Sequence, residues 1–257
     1  MTTIHSSAVI SAKAQIGNDV SIGPNTIIED SVIVGDNCRI ASNVLLADGA
    51  QLGKNVKISH GAVIGTNPQD LKFGGEITQA KIGDNTVIRE YVTINRGTKA
   101  HGETSVGADC FIMAYAHVAH DCIVGNNVIL ANSVNMAGHV EIQDWVTIGG
   151  IVPIHQFVKI GAHCMVGGGF RVPQDICPFS LVGGYPAKVV GINSIGLRRR
   201  GFSIERIRTL EHLFKLLFFS SLNTTQALER ADAEIEKNDD VRQVLEFIAK
   251  SERGIIK

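Results

Sequence analysis

Aromatic residues are scarce in this chain, at 5% of 257 residues, although hydrophobic residues reach 44%. A core with so few rings must be built from aliphatic side chains in thin, repeated layers. The 24 basic and 25 acidic residues nearly cancel, so no overall field favours nucleic acid or a membrane surface as a partner. The longest uncharged stretch near the middle, residues 145–158, is too short and too interrupted by glycine and proline to span a bilayer.

Cysteine is also limited, and its five copies include no C-x-x-C pair. An odd set of thiols without such a pair is typical of a reducing compartment, and we therefore expect a cytoplasmic protein without a disulfide framework. Proline is sparse, with 6 copies, whereas glycine is abundant, with 27. Abundant glycine without abundant proline indicates many tight turns rather than disorder.

The dominant pattern is a repeat of six residues. Every sixth position from Ile4 to Pro178 gives 30 positions, of which 26 hold Ile, Val, Leu or Met. A second position, two residues earlier, takes small side chains such as Ala8 and Cys38. This period does not fit an α-helix, but it fits short strands joined by turns, with three strands and about 18 residues in each coil. Stacked coils would pair in parallel about 4.8 Å apart, with the large aliphatic side chains inside.

The repeat is interrupted twice. Polar segments near 67–78 and 96–103 cannot supply a buried face. We predict that both are loops that protrude from the repeat scaffold, where functional residues are often found.

The repeat ends near residue 191, and a helical period follows. Ser203 can cap a first helix, Thr224 or Thr225 can open a second, and Asp239 with Asp240 can open a third. We therefore predict a repeat domain over 1–191 and a C-terminal helical domain over 192–257.

Four histidines fall outside both inward positions of the repeat: His117, His120, His139 and His155. His139 lies 19 residues after His120, and His155 lies 35 after it, so these three are expected near one line on successive coils. Imidazole titrates near neutral pH, and such a column suits proton transfer. Solvated histidines, or histidines at a subunit interface, would give the same pattern.

Several segments around these histidines form a recognisable set. They are AHVAHDC at 116–122, MAGH at 136–139, IHQF at 154–157, NPQDLK at 67–72 and RRRGFS at 198–203. Over nearly its whole length the chain resembles the UDP-N-acetylglucosamine O-acyltransferase family of lipid A biosynthesis. The resemblance implies a mainly β protein, a left-handed parallel β-helix followed by a small C-terminal α-helical domain. The period alone does not give that hand, because parallel crossovers are usually right-handed.

The resemblance also implies an activity. It is transfer of a β-hydroxyacyl chain from acyl carrier protein to the 3-hydroxyl of UDP-N-acetylglucosamine, with neither cofactor nor metal. A sugar hydroxyl is a poor nucleophile and needs a base beside it. By resemblance His120 is that base, Asp121 supports it, and the backbone N–H of Gly138 stabilises the oxyanion. A purely structural turn carboxylate is the alternative role for Asp121.

The substrate contacts are likewise implied by the resemblance. The side chains that would bind the sugar nucleotide or the carrier's phosphopantetheine are Asp70, Lys72, His117, His139, His155, Gln156, Asn193 and Arg199. A basic run of Arg198, Arg199 and Arg200 would bind the acidic carrier protein, although a solvated helix entry would give the same run. Gly168 occupies the position thought to set acyl length and would leave the groove open for a longer chain, unless it is a simple turn glycine.

A homotrimer is expected for two reasons. Asp70 precedes His120 by 50 residues, nearly three coils or about 14 Å of scaffold height, and one subunit would struggle to bring them together. The family that the chain resembles forms trimers with sites between neighbouring subunits. One departure from the family concerns Ser194–Gly196, where many relatives carry a carboxylate. It leaves open whether the acceptor is the 3-hydroxy sugar or its 3-amino analogue.

Other functions share the repeat. An acetyl-CoA-dependent hexapeptide transferase would not need the helical tail or the loop with Asp70. The sister N-acyltransferase of lipid A synthesis carries an additional N-terminal domain, whereas the repeat here begins at Ile4. A zinc carbonic anhydrase uses the same scaffold, but the spacing of His117, His120 and His139 does not obviously give three ligands for one metal. A purely structural β-helix would leave the histidine column unexplained.

Overall fold

A computed structural model describes residues 1–257 as 27 short strands and four helices. The strands are β1 Thr3–Ile4, β2 Val9–Ile10, β3 Gln15–Ile16, β4 Ser21–Ile22, β5 Ile27–Ile28, β6 Ile33–Val34, β7 Arg39–Ile40, β8 Leu45–Leu46, β9 Ala50–Leu52, β10 Lys57–Ile58, β11 Val63–Thr66, β12 Gln79–Ile82, β13 Val87–Ile88, β14 Thr93–Asn95, β15 Glu103–Val106, β16 Phe111–Ile112, β17 His117–Val118, β18 Ile123–Val124, β19 Ile129–Leu130, β20 Asn135–Met136, β21 Glu141–Ile142, β22 Thr147–Ile148, β23 Pro153–Ile154, β24 Lys159–Ile160, β25 Met165–Val166, β26 Ser180–Gly183 and β27 Lys188–Ile192. The helices are α1 Ser194–Arg199, α2 Ile204–Phe218, α3 Thr224–Glu234 and α4 Asp239–Lys250.

Strands β1 to β25 form a three-sided prism, because each strand pairs in parallel with the strand three places further along the chain. The first face runs from β1 and β4 to β25 and is extended by β26 and β27. The second face runs from β2 and β5 to β23, and the third from β3 and β6 to β24. The predicted fold class, a left-handed parallel β-helix with a small helical C-terminal part, is confirmed.

The interior of the prism consists of the aliphatic columns of the six-residue repeat. On the second face Ile64, Ile94 and Val118 succeed one another, and all three are fully buried. Burying each such side chain stabilises the fold by about 1.5–3 kcal/mol. Because these columns supply the burial, outward side chains can vary without weakening the core.

The corners of the prism place one residue of each turn in the left-handed region. Eighteen non-glycine residues have positive φ, with values from 54° to 68°. Asparagine, aspartate and histidine tolerate this conformation best. At the edge between the second and third faces the corner residues include Asp121, His139 and Phe157.

Both interruptions of the repeat leave the prism at that same edge. The first loop, residues 67–78, joins β11 to β12, and the second loop, residues 96–102, joins β14 to β15. Glu103 pairs with Gln79, so the second loop ends one residue earlier than the sequence predicts.

The C-terminal part contains two elements that the periodicity does not predict, the antiparallel pair β26–β27 and helix α1. Ser203 caps α2 as predicted, and α3 and α4 begin at Thr224 and Asp239, the residues predicted to open them. Strand β27 ends at Ile192, so the division predicted after residue 191 falls inside a strand. None of the four helices combines the length and the apolar character needed to cross a membrane.

Candidate active site

Rings from successive coils contact one another along the edge between the second and third faces. The centroids of His120 and His139 are 5.1 Å apart, and the two rings meet edge to face. His101, from the second loop, lies edge-on to His139 at 5.4 Å, and Phe157 stacks on His139 at 4.7 Å. The histidine column predicted from the sequence therefore exists, but its third member is His101 and not His155.

Asp121 lies at the centre of this column and is fully buried. Its Oδ2 accepts hydrogen bonds from His120 Nδ1 at 2.8 Å and Thr98 Oγ1 at 2.7 Å. Its Oδ1 accepts from the backbone N–H groups of Thr98 at 2.9 Å and His101 at 3.3 Å. Burial raises the pKa of Asp121, but these bonds and the nearby His139 outweigh it and leave the pKa below its usual value. The group is therefore an ionised, four-fold bonded carboxylate.

His120 is oriented by that carboxylate. Because its Nδ1 donates to Asp121, Nε2 is the free basic nitrogen. Nε2 faces Gly138: a Cβ added there would lie 2.7 Å from Nε2 and 2.5 Å from Cε1. Gly138 is itself buried, and its backbone N–H donates to no protein group. His120 Nε2 therefore lies next to Gly138, a residue whose backbone N–H has no partner within the chain.

Two neighbouring histidines are kept neutral. His117 Nδ1 lies 2.7 Å from Thr93 Oγ1, and burial lowers the pKa of His117. For His139, burial lowers the pKa and outweighs the attraction of Asp121, whose Oδ2 is 3.6 Å from Nε2. Neutral imidazoles can bind hydroxyl groups without adding positive charge beside His120.

An open cavity of about 760 Å³ lies over His120 on the second face. Its lining includes Asp70 and Lys72 from the first loop, together with His117, Gln156 and Gly138. One chain brings Asp70 and His120 to the same cavity, so the expectation that a single subunit would struggle to do so was wrong. The loop follows β11, which is only two pairing steps from β17, and it protrudes along the edge that holds His120.

The other implied ligands lie over the first face. Asn193 and Arg199 border a cavity of about 920 Å³ that also includes Trp145 and Arg200. Asn193 is 8% exposed, and its side chain serves the fold: Oδ1 accepts from Gly196 N at 3.2 Å as the cap of α1, and Nδ2 donates to the carbonyl of His163 at 2.9 Å. The structure therefore separates these residues from His120 within one chain.

The three arginines predicted to form one basic patch diverge. Arg198 is exposed beside Arg208, whereas Arg199 and Arg200 border the first-face cavity. The Arg200 guanidinium lies over the Trp145 ring at 5.3 Å and 3.4 Å from His163 Nδ1. Burial lowers the pKa of Arg200, and burial followed by the Arg200 charge lowers the pKa of His163 to about 4. The prediction of a single basic patch is therefore wrong: Arg198 and Arg199 are exposed in different places, and Arg200 packs against aromatic rings.

Three further implied residues lie outside the His120 cavity. His139 borders a separate cavity of about 190 Å³ on the third face. His155 is half-buried, with Nδ1 3.2 Å from the carbonyl of Gln156, and it does not border the cavity. Gly168 lies at the corner between the first and second faces, where a Cβ would come 2.8 Å from the Gly150 carbonyl oxygen. Close packing of coils therefore accounts for this glycine, and its role in acyl length stays a prediction.

Sequence reasoning missed the residues that hold the column together. Thr98 and His101 bind Asp121, Thr93 binds His117, and Phe157 stacks on His139. The sequence did contain a signal for Thr98 and His101. The second interruption of the repeat occurs at the edge of the prism where His120 lies, and polar loop residues there were the candidates to contact it.

Comparison with known proteins agrees with this geometry. Residues 175–256 match the family model described as "Udp N-acetylglucosamine O-acyltransferase; Domain 2", and residues 13–48, 31–66 and 103–138 match bacterial transferase hexapeptide repeats. A relative from Paracidovorax citrulli, named acyl-[acyl-carrier-protein]–UDP-N-acetylglucosamine O-acyltransferase, is 52% identical over 99% of each chain. The relative of the same name from Thiobacillus denitrificans is 43% identical over 100% of both. The chain belongs to the UDP-N-acetylglucosamine O-acyltransferase family.

Solved structures of this O-acyltransferase family share the whole fold. The crystal structure of a UDP-N-acetylglucosamine acyltransferase from Bacteroides fragilis is 44% identical and superposes with a TM-score of 0.97, covering 99% of this chain and 100% of that one. The Arabidopsis UDP-N-acetylglucosamine acyltransferase is 32% identical, with a TM-score of 0.85 over 99% of this chain. The chain is therefore an acyltransferase, and the carbonic anhydrase and structural alternatives are set aside.

One cluster in this O-acyltransferase could in principle hold a metal ion. The ligand atoms of His120, Asp121 and His139 lie within 4.8 Å of one another. Each oxygen of Asp121 already accepts two hydrogen bonds, so a metal would have to displace the donors that hold this carboxylate.

Proposed function

We propose that the chain transfers a β-hydroxyacyl group from acyl carrier protein to the 3-hydroxyl of UDP-N-acetylglucosamine, the first step of lipid A biosynthesis, with His120 as general base. The observation that carries the proposal is the 2.8 Å hydrogen bond from His120 Nδ1 to the buried Asp121. It leaves Nε2 free beside the Gly138 N–H, in a cavity large enough for a sugar.

The steps use only groups of the chain and its substrates, without a cofactor. His120 Nε2 removes the hydroxyl proton as the sugar oxygen attacks the thioester carbonyl carbon. The carbonyl oxygen becomes an oxyanion, which the Gly138 N–H stabilises. When the intermediate collapses, the C–S bond breaks and the imidazolium proton passes to the departing thiolate of the phosphopantetheine. Ionised Asp121 stabilises the imidazolium between these steps.

The first loop supplies the sugar contacts in this proposal. Asp70 and Lys72 offer an acceptor and a donor on one side of the cavity, and His117 and Gln156 line its floor. His139 contacts the His120 ring but borders a separate cavity of about 190 Å³, so its predicted contact with the sugar draws no support from the cavity over His120. Ser194–Gly196 provides no carboxylate, so the 3-amino analogue, which would form an amide, is tested as a second acceptor.

The placement of the two cavities supports the predicted homotrimer, whereas the sequence separation of Asp70 and His120 does not. His120 opens onto the second face and Arg199 onto the first, so both can serve one sugar nucleotide only if neighbouring copies meet first face to second face. Such a contact joins unlike surfaces and can close into a ring, and a ring of three copies is what the family resemblance predicts. Light scattering should give three times the chain mass of 27.6 kDa, and a monomer would contradict the proposal.

The deciding assay measures acyl transfer from carrier proteins loaded with β-hydroxyacyl chains of several lengths. We expect transfer to UDP-N-acetylglucosamine with a preference for longer chains, as Gly168 implies, and its loss in His120→Ala. His212→Ala, on the exposed side of α2, is the matched histidine control and should retain the activity. Transfer that survives His120→Ala would remove His120 as base. Transfer only from acetyl-CoA, or only to the 3-amino sugar, would replace the proposed donor or acceptor.

A further inference from the structure

The second loop binds the site through Thr98, a residue to which the reaction above gives no role. Its hydroxyl donates to Asp121 Oδ2 at 2.7 Å, and its backbone N–H donates to Oδ1 at 2.9 Å. One residue therefore holds both oxygens of the carboxylate that orients His120. Thr98 is 7% exposed, so solvent does not compete for these bonds.

Thr98 differs from the other buried threonines that donate a hydrogen bond. The hydroxyls of Thr26, Thr78 and Thr86 donate to backbone carbonyls of neighbouring coils, at 2.6 to 2.8 Å. These bonds join turns of the scaffold. Thr98 instead donates to a side chain that contacts the base.

Oδ2 of Asp121 is shared between two donors, the Thr98 hydroxyl and the N–H of His120. The hydrogen bond from the Thr98 hydroxyl to this oxygen has two consequences. It fixes the rotation of the carboxylate, and it draws off part of the negative charge that would otherwise act on the imidazole. The titratable groups that face Asp121 are His120, His101 and His139, and Asp70 acts on His139 from the first loop.

We propose that Thr98 is a positioning residue, which through Asp121 sets the orientation and the basicity of His120. The inference rests on the proposed function, because it assumes that His120 is the base. It adds that the second loop is part of the catalytic apparatus and not only a connection between strands.

The test compares Thr98→Val and Thr98→Ser with Thr86→Val. Thr86 is a close match: its hydroxyl donates at 2.8 Å and accepts from a backbone N–H at 3.1 Å, as the Thr98 hydroxyl donates at 2.7 Å and accepts at 3.2 Å. Thr98→Val should lower kcat roughly tenfold, the effect of one lost hydrogen bond to a charged group, with little change in KM. The acid limb of its kcat/KM profile should move to higher pH, because the carboxylate then acts more strongly on the imidazole.

The controls separate positioning from folding. Thr98→Ser keeps the hydroxyl and should restore both kcat and the pH profile, whereas Thr86→Val should lower the melting temperature without moving the profile. If the Thr98→Val protein does not fold, Thr98→Ala is measured in its place. An unchanged profile in Thr98→Val, or an equal shift in Thr86→Val, would overturn the inference. Activity that survives His120→Ala would instead overturn the proposed base, so the two failures are distinguishable.

Discussion

Replacing Gly138 by alanine should displace His120, the proposed base, while leaving the fold intact. The new Cβ would lie 2.5 Å from His120 Cε1 and 2.7 Å from Nε2, whereas carbon atoms in contact need about 3.5–4.0 Å. The imidazole must then move by about 1 Å, away from its present alignment with Asp121 and the Gly138 N–H. A displacement of about 1 Å at a reacting group costs roughly 10²-fold in rate.

The backbone does not oppose this substitution. The φ of Gly138 lies outside the positive range, so alanine can adopt the same conformation, and any loss of stability comes from the contact with His120. We expect kcat for acyl transfer to fall about 100-fold, with a smaller change in the KM for the sugar nucleotide. Circular dichroism should show a folded protein with a cooperative melt.

The matched control is Gly183→Ala. A Cβ there would lie 3.9 Å from the nearest atoms of Val190, an ordinary contact, so kcat should not change. A folded Gly138→Ala variant with kcat close to wild type would refute the reasoning. It would show either that His120 has room to adjust without cost or that its present position is not the reactive one.

Two further predictions concern the first face. Co-expression of His120→Ala with Arg199→Ala should recover activity, because random mixing leaves about one quarter of shared sites with both residues intact. If the co-expressed protein shows no more activity than the two variants measured separately, each chain contains its own complete site. For His163, the pKa of about 4 lies below the ordinary histidine value of 6.5. The unfolded chain therefore binds the proton first, and the free energy of unfolding should decrease as pH falls from 6.5 towards 4. His163→Phe should lessen that decrease in denaturant titrations, and an unchanged pH dependence would contradict the assignment.

The six-residue pattern predicts the prism because it is a property of the interior. Positions such as Ile64 and Ile94 are buried in every coil, so their spacing in the sequence reports the fold directly. Handedness and the pair β26–β27 are not encoded in that spacing. The first came from family resemblance, and the second depends on contacts of the last coil with the chain that follows it.

The site was only partly predictable, for a related reason. His120, Asp121 and Gly138 lie at corner positions whose coil could be counted, whereas Thr98 and His101 lie in a loop that interrupts the count. Counting residues also overestimated the separation of Asp70 from His120, since residues in protruding loops add length without adding coils. Counting residues also placed His155 in the histidine column, although the corner residue of that coil is Phe157.

The separation of interior from outward positions also sets how substitutions act. Outward residues such as Lys72 contribute no burial to the core, so their replacement should alter binding and leave stability unchanged. Asp121 is the exception, because it is a fully buried charge whose four hydrogen bonds come from the second loop and from His120. Removing a partner from a buried charge is costly, so substitutions there affect the fold and the chemistry together. Stability measurements alone therefore cannot separate the two roles of Asp121, whereas substitution of Thr98, which is one hydrogen bond further from His120, can.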